Sequence, residues 1–204
     1  MLRRFASFLV ALSALSAQAA GPVIVLIGPP GSGKTTQSAF LRSTYSMPVV
    51  AAEDIVKENQ AELGKRRQGG IAYAELREDP ALARFFRARM KTLDLSKGFV
   101  LDGYPATQFQ AEDFSKLMNE MKLKQLLVLQ LTMPDEAVRT RLAGTGESPD
   151  RAEQRLKDYH REFGMIRTYY PNAKIVEIDA TGTPENVSKK IAGALSKAGV
   201  KRGK

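Results

Sequence analysis

The chain has no cysteine and a single histidine, His160. Without cysteine there are no disulfides, no thiolate metal sites and no lipid attachment through an N-terminal thiol, so export would leave no oxidative signature. His160 follows Tyr159 in a helical stretch, where a packed or exposed role fits better than a catalytic one. Apolar runs long enough to span a bilayer are also missing, as are internal repeats and low-complexity sequence beyond a basic tail.

What is present suits one globular domain: 204 residues, 43% of them hydrophobic and 26% charged, can bury one sizeable core. The first twenty residues differ from the rest. Arg3 and Arg4 precede an uncharged run from Phe5 to Leu15, followed by Ala17-Gln18-Ala19. These three regions read as a secretory signal peptide over residues 1–19 with an A-x-A cleavage site, which predicts an exported or periplasmic protein with its domain at 20–204. The alternative is an uncleaved extension or a mis-assigned start on a cytoplasmic protein.

Formal charge is +9, and loss of Arg3 and Arg4 on cleavage would take it to +7. Such an excess suits anionic nucleotides, a membrane surface or nucleic acid. Part of it lies in the tail, at Lys197, Lys201, Arg202 and Lys204, and part at Lys65-Arg66-Arg67. No aromatic residues interleave either cluster as a single-strand platform requires, so small nucleotides are the expected partners, with no nucleic acid and no stable membrane span in a monomeric mature chain.

Short apolar runs recur between helical patterns: Val23 to Ile27, Val49 to Ala51, Phe99 to Leu101, Leu126 to Leu131 and Ile175 to Ile178. Buried strands alternating with helices predict an α/β fold with a parallel sheet covered on both faces. Asp79-Pro80 offers an N-cap and a first-turn proline. Leu82, Phe85, Phe86, Met90 and Leu93 then repeat at helical spacing, which predicts a helix running until Gly98. Thr183-Pro184 opens a last helix with a buried stripe of Val187, Ile191, Ala194 and Leu195.

The most informative stretch is GPPGSGKTT, Gly28 to Thr36, directly after the first apolar run. Its glycines let the backbone aim several N–H groups at one anion, and the helix that follows adds its positive dipole end. Gly28, Gly33, Lys34 and Thr35 satisfy G-x-x-x-x-G-K-[ST], in which the lysine reaches the terminal phosphates and the hydroxyl faces Mg²⁺. Gly28, Pro29, Pro30, Gly31, Ser32, Gly33, Lys34, Thr35 and Thr36 are therefore the expected phosphate cradle. In such folds chemistry sits at the carboxyl ends of strands. Asp102, directly after Phe99-Val100-Leu101, is then a candidate to hold Mg²⁺ opposite Thr35, partly through water. Alone, Asp102 would read as a turn residue of Asp102-Gly103-Tyr104-Pro105.

The motifs resemble those of the adenylate kinase family. GPPGSGKTTQ at 28–37, with its closing Gln37, is similar to that family's phosphate loop, and LDGYPAT at 101–107 to its signature LDGFPRT. Arg155 to His160 resembles the R-L-x-x-Y-H turn that leaves the family's lid. The resemblance covers Pro22 to about Gly199. It implies reversible transfer of the terminal phosphate of Mg-ATP to a nucleoside monophosphate, AMP first, on a five-stranded parallel core with a mobile lid.

On the donor side the resemblance assigns catalysis to Lys34, Arg141 and Arg155, with Arg141 against the ATP base. Arg151, one helical turn before Arg155, has no matching family position but could reach the phosphates. Arg139, Arg141, Arg151 and Arg155 also read as a solvated basic helix pair. The expected lid is minimal, nine residues from Leu142 to Asp150 with Gly144, Gly146 and Pro149 as breakers and no basic residue.

The acceptor side, expected over helices at about 51–95, departs from the family. Asp54, Lys57, Asp102, Gly103, Tyr104 and Gln110 match acceptor-binding positions, and the resemblance gives Gln110 the adenine edge. A threonine of the family becomes Ala52, one arginine becomes Lys57, and the phosphate-holding arginine of LDGFPRT becomes Ala106. Lysine keeps the charge but loses the planar fork that grips a phosphate bidentately. Arg77, Arg84 or Arg87 could compensate. Three readings therefore stand: a nucleoside monophosphate kinase, an ATP-binding protein that has lost transfer, and a P-loop kinase of another small metabolite.

Overall fold

The apolar runs are rich in Val, Ile and Leu, and each is bounded by turn residues too polar to continue it. In the computed structural model, which describes residues 21–65, 80–123 and 126–203, they form five strands. These are β1 (Val23–Ile27), β2 (Val49–Ala51), β3 (Phe99–Asp102), β4 (Leu126–Thr132) and β5 (Lys174–Asp179). Every pairing is parallel, in the order β2-β3-β1-β4-β5. The expected three-layer P-loop architecture is present. The signal-peptide reading of 1–19, most of the Lys65-Arg66-Arg67 cluster, Arg77 and Asp79 lie outside the described residues.

Helices α1 (Lys34–Tyr45), α2 (Ala52–Glu58), α3 (Gln60–Lys65), α4 (Ala81–Met90), α5 (Gln108–Glu120), α6 (Asp135–Ala143), α7 (Pro149–Tyr169) and α8 (Pro184–Lys197) connect the strands. Because side chains alternate along a strand, β1 feeds two cores. Val23, Val25 and Ile27 join Phe86, Phe114 and Tyr170 on one face, while Ile24 and Leu26 join Leu41, Ile191 and Leu195 on the other. A smaller cluster of Val138, Leu142, Ala152 and Leu156 holds α6 against α7.

Thr183 caps α8 as the sequence predicts, its Oγ1 accepting from the Asn186 N–H, with Pro184 in the first turn. Val187, Ile191 and Leu195 are buried and Ala194 packs beside them. Thr183→Ala is expected to cost about 1 kcal/mol. A thermal melt should then shift down by roughly 2–4 °C, with Thr183→Ser close to the parent.

The helix expected to run from Pro80 to Gly98 is shorter. It closes at Met90, where the Lys91 and Thr92 N–H groups turn back onto Arg87 and Arg89 carbonyls and the Thr92 hydroxyl also donates to Arg89. Asp94 then accepts from the Ser96 N–H in a tight turn. Gly98 serves the next strand instead. Its φ of 89° leads into β3, and a Cβ there would stand 2.2 Å from the Pro22 carbonyl oxygen. Periodicity survived past Met90 because Leu93 packs on the same core from a turn.

Candidate active site

Strand register brings the site together. Leu26 pairs with Asp102 and Asp102 pairs with Ala51, so the loop after β1, the acid ending β3 and the start of α2 share the carboxyl end of the sheet. That loop is tight. A Cβ on Gly28 would meet Ser32 Oγ at 2.7 Å and Leu131 Cβ at 2.8 Å, so no larger residue fits without displacing β4. Gly31 and Gly33 adopt φ of 74° and 88°, and the Ser32 N–H closes onto the Pro29 carbonyl at 3.2 Å. Helix α1 starts at Lys34 with no side-chain cap, which leaves its first-turn N–H groups directed at the loop.

Within the loop Lys34 folds back, its Nζ donating to the Gly28 carbonyl at 2.7 Å and the Pro29 carbonyl at 3.1 Å. Ser32 Oγ is buried with no hydrogen-bond partner. A cradle of uncapped amides, a folded-back ammonium and an orphaned hydroxyl fits a polyphosphate. Thr35 and Thr36 are exposed at the first turn of α1. Asp102 is partly exposed and accepts from the Ser38 hydroxyl at 3.0 Å, which ties its carboxylate to the α1 helix that carries Thr35. No group of three or more acidic, histidine or cysteine side chains that could hold a metal exists among the described residues. One carboxylate and one hydroxyl are nevertheless the donor set that suits a Mg²⁺ ion held chiefly by nucleotide phosphates and water.

Arg141, in the last turn of α6, reaches this loop. Its Nη1 donates to the Gly31 carbonyl at 2.7 Å, across 110 residues of sequence. Arg151 and Arg155 converge on Glu147 instead. Arg155 Nη1 lies 2.6 Å and Arg151 Nε 3.6 Å from its carboxylate, whose side chain is only 11% exposed. Sequence reasoning passed over Glu147, although an acid four and eight residues before two arginines was visible. Arg139 bonds Glu153 and Glu136, so of the four basic positions it takes the purely structural role.

The expected nine-residue lid is shorter. Leu142 is a buried helical residue, Ser148 caps α7 by accepting from the Arg151 N–H, and Pro149 and Asp150 already belong to that helix. Only residues 144–148 connect α6 to α7, because the Ser-Pro pair starts a helix earlier than the breakers alone imply.

Acceptor positions divide. Asp54 and Lys57 are exposed on α2, where Lys57 pairs with Glu53 at 2.9 Å. The Glu53 hydrogen bond and charge hold the Lys57 ammonium above the ordinary lysine range. Gly103, partly exposed, follows Asp102. Tyr104 is buried, stacked on Phe86 at 3.9 Å between ring centroids, and burial pushes its phenol well above the ordinary range. Its ring is a core element, and its buried hydroxyl has no hydrogen-bond partner. Gln110 is fully buried, with Oε1 accepting from the Ala106 N–H at 2.8 Å, so that this oxygen braces the 102–107 loop. Of the arginines named as compensators, the two described ones are engaged: Arg84 with Glu62, and Arg87 with Asp113 at 2.8 Å and Glu120 at 2.7 Å. Arg87 is held above its usual range chiefly by the Asp113 hydrogen bond.

The adenylate kinase family model matches residues 26–175, which include the end of β1, the phosphate loop, Asp102 and the helices α6 and α7 that carry Arg141, Arg151 and Arg155. The adenylate kinase of Corynebacterium urealyticum is 32% identical over 180 residues, which span 85% of this chain and 99% of that protein. The adenylate kinase of Thermobifida fusca is 33% identical over 183 residues, 84% of this chain and 97% of that protein. That of Xanthomonas campestris pv. campestris strain B100 is 30% identical over 185 residues, with coverage of 85% and 99%. A match this extensive, which takes in the residues that build the phosphate cradle, means that the chain belongs to the adenylate kinase family and is a phosphotransferase.

Proposed function

We propose that the chain transfers the terminal phosphate of ATP, bound with Mg²⁺, to a nucleoside monophosphate, with AMP the preferred acceptor. The observation that carries this reading is the register that sets Asp102 between Leu26, just before the phosphate loop, and Ala51, just before α2. A donor site and an acceptor helix then meet at one carboxylate.

Phosphoryl transfer needs little covalent help from the protein, only in-line positioning and neutralisation of a loose anionic transition state. Loop amides and Lys34 hold the donor phosphates, and Arg141, released from the Gly31 carbonyl, covers them. Arg155 and Arg151 add charge from α7, oriented by Glu147. When bound at Thr35 and Asp102, Mg²⁺ neutralises charge on the phosphates. Asp54 and Lys57 sit on the helix that faces the acceptor.

Coupled ATP consumption with AMP, CMP, UMP and GMP tests the reading. ADP formed fastest with AMP supports it, and no ADP above background from any acceptor overturns it. A second reading, ATP binding without transfer, draws support from the engagement of Arg84 and Arg87 with surface acids. Calorimetry separates the two, since measurable AMP affinity favours transfer. If Lys57 is the acceptor-side cation, Lys57→Ala should lower kcat/KM for the acceptor by roughly tenfold and leave ATP affinity unchanged. Export is a further part of the proposal. N-terminal sequencing of the protein from its native host should find Ala20 first, and a chain beginning at Met1 overturns it.

A further inference from the structure

The phosphate site occupies the carboxyl end of the sheet, and the opposite end carries a different surface. Loops that precede strands, together with the end of α8 and the tail, expose Lys91, Lys97, Lys122, Lys197, Lys201 and Arg202 there, and none of these is in an ion pair among the described residues. Acidic groups on those loops reduce to Asp94, which is already bonded to the Ser96 N–H and lies within the charge of Lys97. Glu120, at the nearby end of α5, is spent on Arg87.

Gly21, the first described residue, lies at this same surface. The Gly21 N–H donates to the Leu95 carbonyl at 3.1 Å, and Gly21 packs on the Lys97–Gly98 backbone so closely that a Cβ would stand 2.2 Å from the Gly98 nitrogen. The tail is pinned beside it, with the Gly203 N–H on the Thr44 carbonyl at 3.1 Å. Gly21, Lys97, Lys201 and Arg202 all line one cleft of about 370 Å³. The twenty residues before Gly21, with their apolar run from Phe5 to Leu15, therefore begin at a cationic face.

We propose that this face docks on an anionic phospholipid bilayer, with Lys97, Lys201 and Arg202 against the headgroups and the phosphate site directed away from the membrane. An apolar segment of eleven residues is too short to span. A single weak anchor becomes effective when a basic patch adds to it, each cation near an anionic surface contributing roughly a fivefold gain in binding. In the chain that still carries residues 1–19, an apolar segment held in lipid joins the domain beside this face, and after cleavage the cations alone hold it to the surface. Lipid is favoured over nucleic acid by the apolar run that precedes Gly21 in the uncleaved chain and by the absence of exposed aromatic side chains among the described residues of these loops.

The test is sedimentation with vesicles of phosphatidylcholine alone or mixed with phosphatidylglycerol. The two cores begin at Val23 and Ile24, so a chain starting at Ala20 keeps every described core residue and isolates the charge contribution. That chain should bind mixed vesicles and not neutral ones, and lose binding at high salt. K97Q/K201Q/R202Q should weaken it on the order of a hundredfold with thermal stability unchanged. K116Q/K157Q/R161Q, which removes equal charge from α5 and α7, should weaken it by less than about tenfold. In the full chain, binding to mixed vesicles should be tighter still and remain sensitive to the first variant. Equal losses from the two triple variants, binding to neutral vesicles by the chain starting at Ala20, or tighter binding to an oligonucleotide than to mixed vesicles at matched salt would each overturn the proposal.

Discussion

Lys34→Met is expected to lower phosphoryl transfer on the order of 10²–10³-fold while the protein stays folded. The ammonium donates to two carbonyls of its own loop, Gly28 and Pro29, at 2.7 and 3.1 Å. It therefore stands inside the cradle with its charge poised for an incoming phosphate, and reaching that phosphate needs only rotation of the side chain. Methionine keeps the length and the apolar stem but removes the charge that must neutralise the transferring group. Lys34→Arg should rescue poorly, because a planar fork cannot be enclosed where a compact ammonium fits between two carbonyls. Coupled assays at saturating nucleotide check the rate, and circular dichroism with a thermal melt checks the fold. Turnover retained in Lys34→Met would remove the loop from the chemistry and with it the proposed function.

The second large effect concerns stability. Gly98→Ala should destabilise the domain by about 2–5 kcal/mol, combining a left-handed backbone with steric overlap. The new Cβ would lie 2.2 Å from the Pro22 carbonyl oxygen, and that oxygen accepts the Phe99 N–H at 3.2 Å at the start of the β1–β3 pairing. Relief requires β1 and β3 to separate at the point where both enter the sheet. Gly164→Ala offers the contrast. Inside α7 its Cβ would meet nothing within 4 Å, so that substitution should stabilise by roughly 0.5–1 kcal/mol. Urea unfolding should show the two midpoints moving in opposite directions with a common slope. A Gly98→Ala midpoint equal to the parent would mean that the two strands tolerate displacement there.

Both substitutions fall in segments whose importance was partly readable in advance. The phosphate loop was plain because its chemistry is carried by backbone amides and one local lysine, so spacing alone specifies it. Gly98 was read as a helix stop, because its role depends on Pro22, a residue 76 positions earlier in the chain. Leu93 misled for a related reason, since a buried turn and a buried helix present the same apolar spacing. The lid was overestimated because Gly144, Gly146 and Pro149 were all counted as breakers, although proline after a capping serine opens a helix.

Gln110 and the arginines show the other limit. A motif says which residue occupies a position but not what its side chain meets. The Gln110 carbonyl oxygen braces the backbone at Ala106, and Tyr104 stacks on Phe86 in the core. Arg84 and Arg87 find acids on α3 and α5, and Arg151 and Arg155 share Glu147.

The sequence by itself determined the order of strands and helices, the parallel α/β class, the phosphate cradle and the acid at the end of β3. Each of these rests on local periodicity, caps or a contiguous motif. Only the tertiary structure decided that Arg141 lies on the phosphate loop, that Glu147 gathers two cations, that Gly98 secures β1 to β3, and that Gly21 shares a cleft with Lys97, Lys201 and Arg202. Those outcomes depend on contacts between residues tens of positions apart, which packing and strand register bring together and which no local pattern encodes.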